Sequence, residues 1–492
     1  MFQRLSSVAF RGLEALLVEV EVDIVPSEER LIFQIVGLPD SAIKESRERI
    51  ISALRHADIS LAGLQITVNL APSDLKKEGT LFDLPIALAI AAAMKKWKPN
   101  FDLSRALIVG ELGLQGDVRP MKGALGAVLL AKQNGHTSVI LPFLNQPDLA
   151  VVPGVELILA TDLKSVLKGE KPLFIPPILP EKEEQWIDFE EIVGQQMGKR
   201  ALEISAAGGH NLLMKGPPGT GKSLLAKSLP SILPALDPQS SLDVKRIWSL
   251  AGLLTEGKRP PFRSPHHTVS HIGLIGGGAR PRPGEISLAH HGVLFLDELP
   301  EFTRQALEIL RQPLEDHQVT ITRAEGSLTF PARFVCVAAM NPCPCGFYGH
   351  PDRRCVDTTK EIERYQKKIS GPLLDRFDLQ VEIPPLTFQE MGGRGKESSR
   401  VVKERIIKAR KRQEARNGVA RLNSQLTSKE VKEKVALNSS QEAILEEAVN
   451  ALQMSMRSLQ RLLKVTRTIA DLEESDAILD DHLLEAISYR TR

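Results

Sequence analysis

A glycine-rich loop in the middle of the chain constrains the fold more than any other segment. Its eight residues are Gly216, Pro217, Pro218, Gly219, Thr220, Gly221, Lys222 and Ser223. A short apolar run at 212–214 precedes the loop, and a run with helical spacing at 224–232 follows it. Strand, glycine loop and helix in this order are the context in which backbone N–H groups and a helix N-terminus bind phosphate. A glycine-rich turn without a ligand is the alternative, but an eight-residue match in this context favours a nucleotide site.

Five polar side chains complete the pattern of a nucleoside-triphosphate site. Lys222 is expected to reach the β and γ phosphates, and the Ser223 hydroxyl is expected to ligate Mg²⁺. Asp297 and Glu298 end a buried apolar strand, which is where an open α/β sheet places its chemistry. We expect Asp297 to hold the Mg²⁺ shell and Glu298 to orient and polarise the attacking water. Asn341 ends another such strand and is expected to contact the γ-phosphate or the water.

The chain has 492 residues, too many for one hydrophobic core, so several compact units are expected. Residues 1–165 are typical of a mixed α/β domain, and residues 186–390 of a second α/β unit. The stretch between them, 166–185, is rich in proline and acidic residues and has linker composition. Residues 391–492 lack proline, and their spacing is helical. Inside the first domain, apolar spacing predicts helices at 41–57 and 84–94 and strands at 15–25, 31–36 and 65–70.

Charge and apolar patterning narrow the possible partners. The formal net charge is only +2, so contact with nucleic acid requires a local basic patch. The apolar run at 84–94 is too short to span a bilayer and contains Pro85, so no membrane partner is expected. All four cysteines lie between 336 and 355, which argues against a disulfide framework and indicates a reduced cytoplasm or a local metal site.

Further segments resemble elements of AAA+ ATPases. Ile192 and Val193, ahead of the phosphate loop, resemble the adenine-flanking element of that superfamily. The segment Ser-Gly-Pro-Leu-Leu-Asp-Arg-Phe-Asp, which contains Arg376, is similar to the arginine-finger segment of the magnesium-chelatase and replicative-helicase branch. By that resemblance Arg376 reaches the ATP of a neighbouring subunit. Arg457 matches the second-sensor helix of the lid better than Arg461 does. Ordinary helix-surface charge is the alternative for all three arginines.

Over its whole length the chain resembles the YifB/ComM family of magnesium-chelatase-like AAA+ proteins. The segments that carry the resemblance lie at 36–40, 44–49, 69–72, 82–85 and 467–472. The resemblance implies an α/β chain with a Lon-protease-like (ribosomal S5-like) N-terminal domain, an AAA+ P-loop NTPase core and a C-terminal helical lid. It also implies a cytoplasmic homo-hexamer that uses ATP and Mg²⁺ to drive branch migration as a helicase. The expected partner is single-stranded, forked or branched DNA, in natural transformation or homologous recombination. A chelatase-like ATPase that remodels a protein partner is the alternative.

The Lon-like domain is expected to lack protease chemistry. Lon uses a serine nucleophile and a lysine base, which must lie within hydrogen-bond reach of each other. By the resemblance, the position of the nucleophile falls near Leu81 and that of the base near Leu125, and neither residue can serve. An unusual dyad of Thr80 and Lys122 is the alternative.

Two inserts in the second α/β unit are candidates for contact with DNA. The first covers 259–278, and the second, 319–330, alternates as a β-hairpin does. In related helicases such inserts line a central channel, and four arginines here are candidates for phosphate contacts: Arg263, Arg280, Arg282 and Arg323. For the four nearby histidines we favour local packing and hydrogen bonds: His266, His267, His290 and His291. The basic segment 394–421 either meets DNA or forms a solvated helix face.

The cysteine cluster is a candidate zinc site. Cys343, Cys345, His350 and Cys355 supply three thiolates and an imidazole, which suit a tetrahedral Zn²⁺. Family members often carry a further cysteine where this chain has Asp357, so Asp357 or His350 is expected to substitute as the fourth ligand. A turn rich in proline and glycine with reduced thiols is the alternative.

Overall fold

The computed structural model describes residues 1–28, 30–37, 41–73, 77, 79–149, 152–170, 186–278, 281–323, 326–387 and 397–490. The chain divides into two compact units, residues 1–182 with 245–256 and residues 183–244 with 257–492. Most of the predicted linker, from 171 to 185, lies outside the described residues. The four-part division into domains therefore stays a prediction.

A mixed seven-stranded sheet forms the centre of the first unit, in the order β3-β4-β2-β1-β5-β8-β9. Every second residue of the long second strand is buried from Val18 to Ile24, because one face of the strand meets the core. Gly12, with φ of +63°, turns the chain between the first two strands, which pair antiparallel. The strands of this unit are β1 Phe2–Arg11, β2 Glu14–Pro26, β3 Ile32–Val36, β4 Leu64–Ala71, β5 Ala106–Ile108, β6 Glu111–Leu112, β7 Val118–Arg119, β8 Ser138–Pro142 and β9 Glu156–Ala160.

The helices of the first unit are α1 Ser41–His56, α2 Asp83–Ala93, α3 Ala124–Gln133 and α4 Leu163–Leu167. Helix α2 is apolar on all sides and almost fully buried, as the run at 84–94 predicts. The structure confirms both predicted helices and the three predicted strands, with ends that differ by a few residues.

A five-stranded, fully parallel sheet lies at the centre of the second unit, in the order β11-β14-β17-β10-β18. The strands are β10 Leu212–Lys215, β11 Phe262–Arg263, β12 Gly276–Gly277, β13 Arg282–Pro283, β14 Val293–Leu296, β15 Gln318–Arg323, β16 Gly326–Pro331, β17 Val335–Met340 and β18 Leu379–Glu382. Strands β15 and β16 pair antiparallel, which confirms the predicted hairpin. The helices between residues 196 and 374 are α5 Gln196–Gly208, α6 Lys222–Ile232, α7 Pro238–Ala251, α8 His271–Ile275, α9 Glu285–Leu288, α10 Arg304–Ile309, α11 Pro313–Asp316, α12 Thr359–Gln366 and α13 Gly371–Leu374, and the residues of α7 from 245 onward belong to the first unit.

The C-terminal segment is helical and shares a hydrophobic core with the parallel sheet. Its helices are α14 Ser399–Asn417, α15 Ser428–Lys434, α16 Ser439–Leu452, α17 Met456–Leu472 and α18 Asp480–Ser488. Ile406 of α14 and Ile469 of α17 are fully buried in the same core as Leu225 of α6. Among the described residues, no helix is long and apolar enough to cross a membrane.

Candidate nucleotide-binding site

The parallel sheet brings the ends of three strands to one edge. Lys215 at the end of β10 pairs with Met340 at the end of β17, and Leu296 at the end of β14 pairs with Ala338. The residues that follow these strands therefore meet at the carboxyl edge, where open α/β sheets bind ligands. These residues are the phosphate loop, Asp297 and Asn341.

The Lys222 side chain lies folded into the phosphate loop. Its Nζ donates to the carbonyl oxygens of Gly216 and Pro217, both at 2.7 Å, and lies 3.2 Å from Asn341 Oδ1. Burial lowers the pKa of Lys222 to about 8, although the Asp297 carboxylate opposes this shift. The charged form of Lys222 would thus be stabilised when an anionic phosphate binds beside it.

The candidate magnesium ligands and the candidate catalytic acid lie side by side. Ser223 Oγ donates to Asp297 Oδ2 at 2.6 Å, so both oxygens are close enough to ligate one ion. Asp297 Oδ1 accepts the Glu298 backbone N–H at 2.9 Å. Glu298 has φ of +50°, an uncommon value for a residue other than glycine, and its side chain is exposed. His267 Nδ1 lies 3.4 Å from Glu298 Oε2, a contact that sequence reasoning did not predict.

The loop also requires glycine on steric grounds. A Cβ on Gly216 would lie 2.3 Å from the Ile383 carbonyl oxygen, so this position excludes every side chain. Gly221, at the start of α6, has φ of +88°. The phosphate loop therefore lets backbone N–H groups face a ligand, and the polar residues that follow the strands fit ATP and Mg²⁺.

The predicted adenine-flanking residues lie at the start of the second unit. Ile192 is buried in the same core as Leu225 of α6, and its carbonyl oxygen accepts from Lys199 Nζ at 2.5 Å. Val193 is half-buried. Gln195 connects this segment to the phosphate loop, since its Nε2 donates to the Thr220 carbonyl oxygen at 3.1 Å.

The two arginines expected to act on nucleotide share one carboxylate. Arg376 is 8% exposed, and its guanidinium contacts Glu315 and donates to the Arg311 carbonyl oxygen at 3.0 Å. Arg457 Nη2 lies 2.8 Å from the other oxygen of Glu315, and its side chain is 53% exposed. Arg461 is held by Asp378 at 2.7 Å. Glu315 carried no signal in the sequence, because only the fold brings α11 beside these residues.

Comparisons with known proteins match three long segments of the chain. The magnesium chelatase subunit ChlI family matches residues 188–391, a ChlI subunit family matches 20–145, and the ChlI C-terminal family matches 396–490. The protein YifB of Escherichia coli strain K12 is 43% identical over 97% of this chain and 95% of its own length. The competence protein ComM of Haemophilus influenzae is 42% identical over 98% of this chain and 96% of its own length.

The chain belongs to the YifB/ComM family of magnesium-chelatase-like proteins. A shorter relative, the magnesium-chelatase 38 kDa subunit of Rhodobacter capsulatus, is 27% identical over 40% of this chain and 55% of that subunit. Membership of this AAA+ family indicates ATPase activity with ATP and Mg²⁺, which agrees with the residues at the strand ends.

The four arginines expected to contact DNA phosphates in this YifB/ComM chain differ in exposure and in their partners. Arg263 forms a two-pronged ion pair with Glu285, at 2.6 and 2.7 Å. Arg282 is exposed on β13. Arg280 lies outside the described residues, and Arg323 ends β15 with a side chain outside the described part of the structure.

The histidines and the basic segment largely have local partners. His266 Nδ1 lies 2.9 Å from Thr268 Oγ1, and His290 Nδ1 accepts the Arg333 backbone N–H at 2.9 Å. Six basic residues on α14 or just after it bind carboxylates or carbonyl oxygens of the same unit: Arg405, Lys408, Arg410, Arg412, Arg416 and Arg421. About half of the basic residues of segment 394–421 are therefore paired within their own unit, and the choice between DNA contact and a solvated helix face stays open.

Of the candidate zinc ligands, the three thiols lie together and His350 does not join them. Cys343, Cys345, Cys355 and Asp357 form one group whose ligand atoms all lie within 4.8 Å of one another. His350 Nδ1 instead accepts two backbone N–H groups, at 3.0 and 3.1 Å.

In the first unit, Leu125 is fully buried, and Leu81 packs against the hydrophobic cluster that contains Val128. Thr80 donates to Glu111, and Lys122 Nζ lies 3.5 Å from the Ala251 carbonyl oxygen. The structure therefore gives Thr80 and Lys122 different partners. The absence of peptidase chemistry stays a prediction.

Proposed function

We propose that the chain is an ATP-driven DNA motor that works as a homo-hexamer and moves branched DNA as a helicase. The observation that carries the proposal is the convergence of Lys222, Ser223, Asp297, Glu298 and Asn341 at one edge of the parallel sheet. The relationship to the competence protein ComM supports DNA as the substrate of the motor and natural transformation or homologous recombination as its setting.

In this proposal each strand-end residue has one task. Lys222 neutralises charge on the β and γ phosphates, and Ser223 with Asp297 holds Mg²⁺. Glu298 orients the attacking water and polarises it, and Asn341 contacts the γ-phosphate or that water. The exposed position of Glu298 leaves its carboxylate accessible to water.

The proposed ring of subunits is inferred from two arginines. Arg376 is proposed to supply positive charge to the ATP of a neighbouring subunit, with Arg457 beside it. Both contact Glu315, so they lie together and would reach the same nucleotide. The C-terminal helices α14–α18 are proposed as the lid, and the first unit as a Lon-like domain that serves as scaffold and binding surface.

DNA contact is assigned to the two inserts and to the residues that follow the first of them. Among the candidates whose side chains are described, Arg282 is exposed on β13, whereas Arg263 is paired with Glu285. Arg282 is therefore the best-placed described arginine for a phosphate contact.

A chelatase-like ATPase that remodels a protein partner is the second candidate. The match of residues 188–391 to the magnesium chelatase subunit ChlI family favours it. The basic residues of α14 that pair within the second unit also favour it, because pairing leaves less of the basic segment 394–421 available to DNA.

The first test measures the ATPase rate of the purified full chain with and without single-stranded and forked DNA, with Lys222→Ala as the blank. We expect several-fold stimulation by DNA that fades at high salt, since phosphate contacts release counterions. An active ATPase that is indifferent to every DNA would exclude the motor and favour the protein-remodelling function. Activity retained in Lys222→Ala would instead show that the nucleotide site is misassigned.

The DNA surface is tested with Arg282→Ala in a binding titration at several salt concentrations. We expect weaker binding to all sequences and a salt slope reduced by about 1, the change typical of one lost phosphate contact. Arg304→Ala, which removes an exposed arginine from α10, is the control and should leave the slope unchanged.

A further inference from the structure

The three thiols of the cysteine cluster are spaced as ligands of a single ion. The Sγ atoms of Cys343 and Cys345 are 3.4 Å apart, those of Cys345 and Cys355 3.5 Å, and those of Cys343 and Cys355 3.7 Å. Zn–S bonds of about 2.3 Å at the tetrahedral angle place two sulfurs about 3.8 Å apart. A disulfide would require about 2.05 Å, so none of the pairs is bonded.

The Asp357 carboxylate occupies the fourth corner. Its Oδ2 lies 3.7 Å from Cys355 Sγ, close to the separation of about 3.5 Å that Zn–S and Zn–O bonds of a tetrahedral site produce. The same oxygen accepts the Cys345 backbone N–H at 2.8 Å, which orients the carboxylate toward the sulfurs. The Tyr348 backbone N–H points at Cys343 Sγ at 3.3 Å, a contact that supports a thiolate.

We propose that Cys343, Cys345, Cys355 and Asp357 bind a structural Zn²⁺. Four protein ligands close the coordination shell, so the ion stabilises the loop and leaves no position for substrate. His350 is excluded as a fourth ligand through Nδ1, because that atom already accepts from Asp352 and Arg353.

The zinc loop is also a wall of the nucleotide site. It begins directly after Asn341, whose side chain contacts Lys222, and it runs to α12. Gly346 lies against the phosphate loop so closely that a Cβ there would be 2.6 Å from Pro218 Cδ. Gln366, at the end of α12, donates to the Pro342 carbonyl oxygen at 3.0 Å, which joins the helix after the loop to the start of the loop. Bound Zn²⁺ therefore holds Asn341 and Pro218 in place for ATP.

The metal site is tested on the full chain, purified under reducing conditions, by elemental analysis and by competition with a chromogenic zinc chelator. We expect one zinc per chain, lost in the double variant Cys345→Ser/Cys355→Ser. Asp357→Ala should weaken zinc affinity by at least about tenfold, since losing a group that merely supports a ligand already costs about 10–100-fold. Cys336→Ala and His350→Ala are matched controls and should keep one zinc with unchanged affinity.

Three results would overturn the assignment. One is a chain with four titratable thiols that takes up no zinc when the metal is supplied. Another is a zinc-free chain in which two of the four thiols are oxidised to a disulfide. The third is zinc affinity that survives Asp357→Ala but falls in His350→Ala, which would make the imidazole the fourth ligand.

The link to the nucleotide site has its own readout. Binding of a fluorescent ATP analogue should weaken several-fold in Cys345→Ser/Cys355→Ser. It should recover in Cys355→His, which keeps Cys345 and offers zinc an imidazole in place of the Cys355 thiol. Unchanged nucleotide affinity in the zinc-free chain would refute the role of the loop as a wall. Neither measurement uses DNA, so the outcome is separate from that of the proposed motor function.

Discussion

Lys222 shows how one residue can be poised for its ligand. Its ammonium donates to two backbone carbonyls in a site that leaves the residue 8% exposed, and burial lowers its pKa to about 8. ATP phosphates would stabilise the charged form and raise the pKa again. Between pH 8 and the ordinary value of about 10.4, the free chain should hold Lys222 mostly neutral and the ATP complex should hold it charged.

We therefore predict that ATP binding takes up a proton in this window and that affinity falls as pH rises above about 8. Calorimetry of a non-hydrolysable ATP analogue, in buffers of different ionisation enthalpy, measures the uptake. Lys222→Arg is the control and should show neither effect, because arginine stays charged. Equal pH dependence in both proteins would contradict the prediction.

His267 is the second residue whose role the fold revealed. Its contact with Glu298 at 3.4 Å places an imidazole against the proposed water-orienting carboxylate. We predict that His267→Ala lowers kcat by up to about fivefold, the range of one partly exposed polar contact, with KM little changed. His266→Ala is the matched control, since His266 lies beside it but bonds to Thr268. Equal losses in the two variants would assign the effect to loop structure.

At the scale of elements, an ion pair with a buried carboxylate attaches the long C-terminal helix α17 to the parallel sheet. Asp378 precedes β18, and its carboxylate meets Arg461 of α17 at 2.7 Å and the Asn211 backbone N–H at 3.0 Å. Burial by itself would raise the pKa of Asp378, but the charge of Arg461, the contact with His210 and the charge of Arg490 together outweigh it and hold the pKa below its usual range. The pair thereby links the segment of Arg376 to the helix that carries Arg457.

We predict that Asp378→Asn destabilises the second unit by up to about 3 kcal/mol, because the partly buried Arg461 loses its carboxylate and keeps the Arg376 carbonyl oxygen as an acceptor. The native pKa is depressed, so the contribution is full above the unfolded value of about 3.9 and is lost as pH falls below it. Urea unfolding at pH 7 and at pH 3.5 measures both parts. The loss should shrink at the lower pH, and Asp375→Asn on the same segment should cost far less.

At the scale of the whole molecule, the proposed ring divides each catalytic site between two chains. Arg376→Ala removes the finger and leaves the nucleotide loop of the same chain, whereas Lys222→Ala does the reverse. We predict that each variant alone is nearly inactive and that their mixture regains part of the ATPase activity. The rate of the mixture, against each protein alone, measures this recovery.

The control for that experiment mixes Arg376→Ala with the double variant Arg376→Ala/Lys222→Ala, which should stay inactive. Since Arg376 is buried and contacts Glu315, thermal unfolding of the variants must show that they fold. Co-assembled but inactive mixtures of the two single variants would contradict action on a neighbour.

The sequence by itself determined the elements and the chemistry of the strand ends. Eight residues of the phosphate loop, the apolar strands before Asp297 and Asn341, and the apolar helix α2 follow from local spacing and residue type. The matches to three magnesium-chelatase families extended this to residues 20–145, 188–391 and 396–490. Such features can be predicted because each depends on residues that are neighbours along the chain.

The tertiary structure alone decided which side chains meet across the chain. It placed Glu315 between Arg376 and Arg457, His267 against Glu298, and Asp357 rather than His350 with the thiols. It also paired most of the basic face of α14 within its own unit. The physical reason is that these contacts form between elements brought together by packing, and packing depends on the paths of loops and on shared cores that no local pattern encodes.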